Sequence, residues 1–190
     1  MFDFFDSIKR HIGPVHQILE FGTNLGFSSM IQLETNPDAT ITSFDIEKIP
    51  LKYQRTGLNA IDGHLTRGMP LDLSDLESIY SQALLSILYG KRFHYKIAPS
   101  ASIMQYKSIH SKQWSYIFVD GGHDFGEVAT DIDNAIYRLN TDYILVDNMT
   151  LGPVKRAAEI FEKMGLIEPV AEHTYHQKKY KSDTGFVDGF

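Results

Sequence analysis

Short apolar runs alternate with helical stretches along most of this chain, and four of the runs close on a glycine or an aspartate. Runs of four to six apolar residues suit strands covered on both faces. Strands joined by helices run parallel, because each crossover returns the chain to the same end of the sheet. The pattern predicts an α/β fold, a three-layer sandwich with helices on both faces of a mostly parallel sheet. Ligands in such sheets bind beyond the carboxyl ends of the strands. Gly22, Asp45, Asp120 and Asp147 all fall at such ends, on four different strands.

The periodicity predicts a first helix over residues 3–12, stopped by Gly13-Pro14. Strands are expected at 16–21, 40–44, 93–98, 116–119 and 143–146, and helices at 27–34, 75–89, 103–110, 127–139 and 153–164. Ser74 and Glu77 have the spacing of a capping box for the helix over 75–89, and Pro153 suits a first helical position. Two more strands, at 167–173 and 185–187, complete a seven-stranded sheet. Residues 49–73 show no period and read either as a lid over the site or as a surface insertion. A length of 190 residues makes one domain over 1–190.

Leu19-Glu20-Phe21-Gly22-Thr23-Asn24-Leu25-Gly26-Phe27-Ser28 reads as strand, tight turn, helix. Glycine allows positive φ and lets a ligand approach the backbone where a Cβ would intrude. The helix that follows presents unpaired N–H groups toward the turn. A dinucleotide fold would show GxGxxG to seat a pyrophosphate. Here the spacing is GxxxG, preceded by the acid Glu20, which suits a cofactor carrying an amino group and a sulfonium. Asp45, 23 residues after Gly22, stands where an acid accepts hydrogen bonds from ribose hydroxyls.

Two further runs end in acid: Ile117-Phe118-Val119-Asp120-Gly121-Gly122-His123 and Leu145-Val146-Asp147-Asn148. Asp120, Asp147 and Asn148 offer three oxygen donors of the kind Mg²⁺ or another hard divalent cation takes. Such a cation would hold a substrate hydroxyl and lower its pKa. Neighbouring strand residues point to opposite faces, so Asp147 and Asn148 converge only if the strand ends before them. Otherwise the pair merely turns the chain toward Pro153.

The first motif resembles that of class I S-adenosylmethionine-dependent methyltransferases, which have a Rossmann-like fold. It is most similar to the metal-dependent O-methyltransferases of the catechol and caffeoyl-CoA type, whose motif reads E-[LI]-G-x-x-x-G-[YF]-S. The resemblance implies that the turn from Gly22 through Thr23 and Asn24 to Gly26, with Glu20 and Ser28, holds the methionine portion of S-adenosylmethionine. It places Asp45 on the ribose and Pro99-Ser100-Ala101-Ser102 beside the adenine, with Ser102 where an acid is often found. Asp120, then Asp147-Asn148, match the metal-binding acids and amide of that family. His123 stands where the catechol enzymes carry a lysine base; a histidine has the pKa for the same task. A metal ligand or a loop contact are the other readings of His123. The family carries substantial helical structure before its first strand, whereas only about 15 residues precede it here.

Charge narrows the partners. Acidic residues outnumber basic ones, 24 to 18, for a net charge of −6, which disfavours binding to phosphate backbones. With no cysteine, thiolate chemistry is excluded. The longest apolar run falls far short of a membrane span, and residues 1–10 lack the pattern of a signal peptide. The expectation is a cytoplasmic enzyme acting on a small-molecule hydroxyl, without nucleic-acid or membrane partners. The apolar face of the first helix suits a homodimer. Two other functions fit the same turn and acids: a nicotinamide-dependent oxidoreductase, against which the GxxxG spacing speaks, and a cofactor-binding module that has lost catalysis.

Overall fold

The computed structural model describes residues 2–24, 26–46 and 81–170. Its elements in chain order are α1 (Phe2–Ile12), β1 (Gln17–Phe21), α2 (Phe27–Thr35), β2 (Thr40–Asp45), α3 (Ser81–Tyr89), β3 (Phe93–Ile97), α4 (Lys107–His110), β4 (Gln113–Trp114), β5 (Tyr116–Val119), α5 (Phe125–Tyr137), β6 (Asn140–Thr141), β7 (Ile144–Val146) and α6 (Gly152–Lys163). Alternation along the strands builds two cores, because successive side chains leave opposite faces of a sheet. Leu19, Phe21, Ile117 and Val119 pack on one side with Val128, Ile132, Ala157 and Phe161 from α5 and α6. Ile18, Ile41, Tyr116 and Phe118 pack on the other with Phe5, Met30, Leu33 and Leu85 from α1, α2 and α3. The outcome is helix, sheet, helix in three layers.

Every pairing in the main sheet is parallel, in the order β3-β2-β1-β5-β7. The chain winds outward from β1 through β2 to β3, then crosses back to lay β5 on the other side of β1. That reversal opens a crevice above the carboxyl ends of β1 and β5. Among the described residues the main sheet has five strands, not seven. Residues 167–170 are outside any strand, and the remainder of the predicted 167–173 strand and the strand at 185–187 lie outside the described residues. So do the irregular segment 49–73 and the Ser74–Glu77 capping box. A second, two-stranded sheet pairs β4 with β6; with two residues per strand, it leaves no periodic signal in the sequence.

One predicted helix is replaced. Residues 103–110 divide into a 3₁₀ stretch, Ser100–Gln105, and the short α4. The Ser102 and Tyr106 N–H groups donate three residues back, to the Pro99 and Ile103 carbonyls, and the Ser102 hydroxyl donates to the Pro99 carbonyl at 2.7 Å. Such local bonds compete with α-helical ones. In α1, Phe5 is buried, and Phe4, Ile8 and Ile12 pack against the same cluster. The apolar face of α1 is thus directed at the chain's own core. Among the described residues, no helix is long and apolar enough to cross a membrane.

Candidate active site

The glycine turn after β1 is shaped by contact with β5. Gly22 has φ 93°, and a Cβ there would collide with the backbone carbonyl of Asp120. Gly26 has φ 80° and occupies the N-cap of α2, where no side chain caps the helix; a Cβ would collide with Leu85. The N-terminus of α2 therefore opens toward the crevice with N–H groups unpaired by any capping side chain. Asp45 holds the turn from across β2: its Oδ2 accepts from the Thr23 N–H at 3.0 Å and the Asn24 N–H at 2.7 Å.

Glu20 behaves differently from a ligand-facing acid. It is fully buried and accepts hydrogen bonds from Ser28 Oγ (2.7 Å), Gln32 Nε2 (2.8 Å), Ser43 Oγ (2.7 Å) and Ser29 Oγ. The Thr23 hydroxyl joins through Ser43 at 2.6 Å, and the Tyr116 hydroxyl donates to Gln32 Oε1 at 2.8 Å. Burial raises the Glu20 pKa, and the four donors pull it back down. Of the residues expected at the cofactor, Glu20, Thr23 and Ser28 thus turn their side chains inward. Gly22, Asn24, Gly26 and Asp45 remain at the crevice. Ser29, Gln32 and Ser43, which the sequence reading omitted, complete the network; two polar residues on an otherwise buried helix were the available signal.

At the other end of the crevice stand the acids. β7 ends at Val146, before Asp147. The Asp147 N–H continues the ladder to the Val119 carbonyl, and Asn148 then takes φ 57°. This left-handed step, which asparagine tolerates better than most residues, turns Asn148 back toward Asp120. Its Nδ2 lies 3.4 Å from Asp120 Oδ1 and 3.1 Å from His123 Nε2. Asp120, His123 and Asn148 are therefore brought together, and Asp147 adjoins Asp120. Burial first, then the neighbouring Asp147, Glu20 and Asp45 carboxylates, push the Asp120 pKa up to about 9. Among the described residues, no three His, Cys, Asp or Glu side chains form a metal-ligand group; the third oxygen donor beside this acid pair is an amide. Two carboxyl groups side by side, with the Asn148 amide beside them, fit a hard divalent cation, which would displace the proton that Asp120 keeps.

Ser100 and Ser102 lie on the turn after β3. The Ser102 hydroxyl closes its own turn, as above. Ser100 instead faces Asp131 of α5, a buried acid that the sequence reading did not single out.

No protein-family model and no curated protein matches this chain. Solved structures do. A caffeoyl-CoA O-methyltransferase candidate from Staphylococcus aureus aligns over 89% of this chain and 64% of its own, at 16% identity and TM-score 0.50. The Podospora anserina methyltransferase PaMTH1, solved with S-adenosylhomocysteine, aligns over 88% and 69%, at 17% identity and TM-score 0.53. TomG from Streptomyces achromogenes, an O-methyltransferase of tomaymycin synthesis solved with S-adenosylmethionine, aligns over 86% and 66%, at 15% identity and TM-score 0.52. The chain spans about two thirds of the length of these structures. The likeness shows the Rossmann-like class I methyltransferase fold, and within it the chain resembles the caffeoyl-CoA type.

Proposed function

We propose that this protein transfers a methyl group from S-adenosylmethionine to the hydroxyl of a small molecule, with a divalent cation at the acid pair. The observation that carries the reading is the contact between Gly22 and the Asp120 carbonyl. It sets the glycine turn beside the strand end that carries Asp120, at the point where the strand order reverses. When bound, the cofactor supplies a methyl group on a sulfonium, and the cation supplies the charge that acidifies the acceptor hydroxyl.

The chain's own part is positioning and proton handling. The turn from Gly22 to Gly26 and the open N-terminus of α2 receive the amino-acid end of the cofactor. Asp45 fixes that turn through two amides and stands beside the ribose. Asp120 and Asp147 would hold the cation, with Asn148 as third ligand through its amide oxygen once the side chain turns from its Nδ2 contacts with Asp120 and His123. His123, exposed at the rim, takes the hydroxyl proton on Nε2 once that nitrogen is released from the Asn148 Nδ2 from which it accepts. Alignment of acceptor and donor accounts for most of the acceleration, since oriented pairs reach effective molarities of about 10⁵–10⁸ M.

The test is transfer of labelled methyl from S-adenosylmethionine to a panel of hydroxyl acceptors, catechol among them. Transfer is expected to stop in EDTA and return with Mg²⁺. His123→Ala should lower turnover roughly 10²- to 10⁴-fold while leaving S-adenosylhomocysteine affinity unchanged. Turnover that survives exhaustive chelation removes the cation from the mechanism, and an unimpaired His123→Ala removes the base.

A further inference from the structure

We propose that Asn148 is a positioning residue that makes the base wait for the cation: its amide nitrogen covers the Nε2 lone pair of His123, and the amide must leave that nitrogen before its oxygen serves as a ligand. The proposal rests on the divalent-cation reading above and concerns the regulation of the same site.

Asn148 stands between the two groups that the chemistry needs. Its Nδ2 carries two hydrogens, and two acceptors lie within reach, His123 Nε2 at 3.1 Å and Asp120 Oδ1 at 3.4 Å. An amide nitrogen only donates, so Nε2 accepts and the His123 ring proton sits on Nδ1. The contact therefore has two effects. It fixes the tautomer that leaves the lone pair on Nε2, and it occupies that lone pair.

The backbone beneath the side chain is pinned. The Asn148 N–H donates to Asp147 Oδ1 at 2.7 Å, and the Asn148 carbonyl accepts from the Leu151 N–H at 2.8 Å. With φ 57° held from both sides, the amide changes partners by rotation of the side chain. A half-turn that puts the oxygen in place of the nitrogen takes both N–H groups off Asp120 and His123 at once. A hydroxyl that arrives before this turn meets a base whose lone pair is taken; one that arrives after it meets a free Nε2. His123 is exposed, so the covering slows its chemistry severalfold and does not abolish it.

The experiment is acylation of the purified protein by diethyl pyrocarbonate at pH 8, where imidazoles are neutral, in EDTA and in Mg²⁺. Mass spectrometry of the peptide that carries His123 reads the rate, and calorimetry on the same samples records Mg²⁺ binding. In the parent, Mg²⁺ should speed acylation of His123 about fivefold, roughly what one net hydrogen bond amounts to. His11 and His16, far from the acid pair in the chain, serve as internal controls. Asn148→Gly accepts the left-handed backbone without strain and lacks the amide. Its His123 should react in EDTA as fast as the parent's does in Mg²⁺, with no further change when Mg²⁺ is added. Ring-nitrogen NMR shifts of the parent carry the test if that variant does not fold, since His123 in EDTA should be the Nδ1–H tautomer. Three results would overturn the role of Asn148 and leave the cation reading standing: the Nε2–H tautomer in EDTA, equal parent rates despite measured Mg²⁺ binding, or an Asn148→Gly protein as slow as the parent. Slower acylation in Mg²⁺ would make His123 itself a ligand and overturn that role as well. A parent that takes up no Mg²⁺ refutes the cation reading, and the proposal with it.

Discussion

The two ends of the crevice treat their acids in opposite ways. Under the glycine turn, Glu20 receives four side-chain donors, and Asp45 receives two backbone amides on one oxygen. Beyond β5 and β7, Asp120 faces Asp147 with a long contact from the Asn148 amide. The first end is assembled by the chain alone and serves as scaffold. The second sets Asp120 against Asp147, so that Asp120 keeps its proton until a cation displaces it. Internal satisfaction marks the structural acid; a retained proton marks the chemical pair.

That contrast can be broken or sharpened by substitution. The largest effect is expected at Glu20. Glu20→Ala strips the acceptor from four buried donors and should cost about 3–5 kcal/mol in denaturant unfolding, as loss of one partner in a buried polar network does. A cost below about 1 kcal/mol would mean that the network is idle. Asp120→Asn should act in the other direction. The folded carboxyl keeps its proton to about pH 9, whereas the unfolded one releases it near 3.8. Its stabilising contribution is thus present below pH 3.8 and is lost as pH rises toward 9. In EDTA at pH 8 the variant should exceed the parent by several kcal/mol and lose that advantage by pH 4. Mg²⁺ should raise the melting temperature of the parent and not of the variant.

Asp131→Asn follows the same sign over a narrower window. Its carboxyl is raised from 3.8 to about 6, so stability is lost between those values and the variant should gain about 3 kcal/mol at pH 7. Unfolding curves at pH 4 and pH 7 check this; an equal difference at both would assign the effect to packing instead. The smallest effect is expected at Ser102→Ala, within about 0.5 kcal/mol of the parent, as for exposed sites that lack a tertiary partner.

Much of this architecture was legible in the chain. The strands of the main sheet and their acidic ends followed from short apolar runs, because a strand buried on both faces has few other ways to be written. The convergence of Asp147 with Asn148 was conditional on where β7 stops, and the left-handed Asn148 supplies the turn. The direction of Glu20 was not legible. An acid before a glycine turn looks the same whether it meets a ligand or four hydroxyl and amide donors, and those donors are scattered from Ser28 to Ser43. Asp131 was hidden for a similar reason: within a helical pattern its partner, Ser100, is set only by how α5 lies against the turn after β3. The 3₁₀ stretch at Ser100–Gln105 escaped because serine hydroxyls compete for carbonyls that a helix would use.

The most direct measurement is calorimetric titration of the purified protein with S-adenosylmethionine, in Mg²⁺, beside NADH under the same conditions. The account predicts saturable binding of S-adenosylmethionine and no heat from NADH. Binding of NADH alone would contradict it and turn the glycine turn and Asp45 into a nicotinamide site; binding of neither would leave a methyltransferase fold without its cofactor.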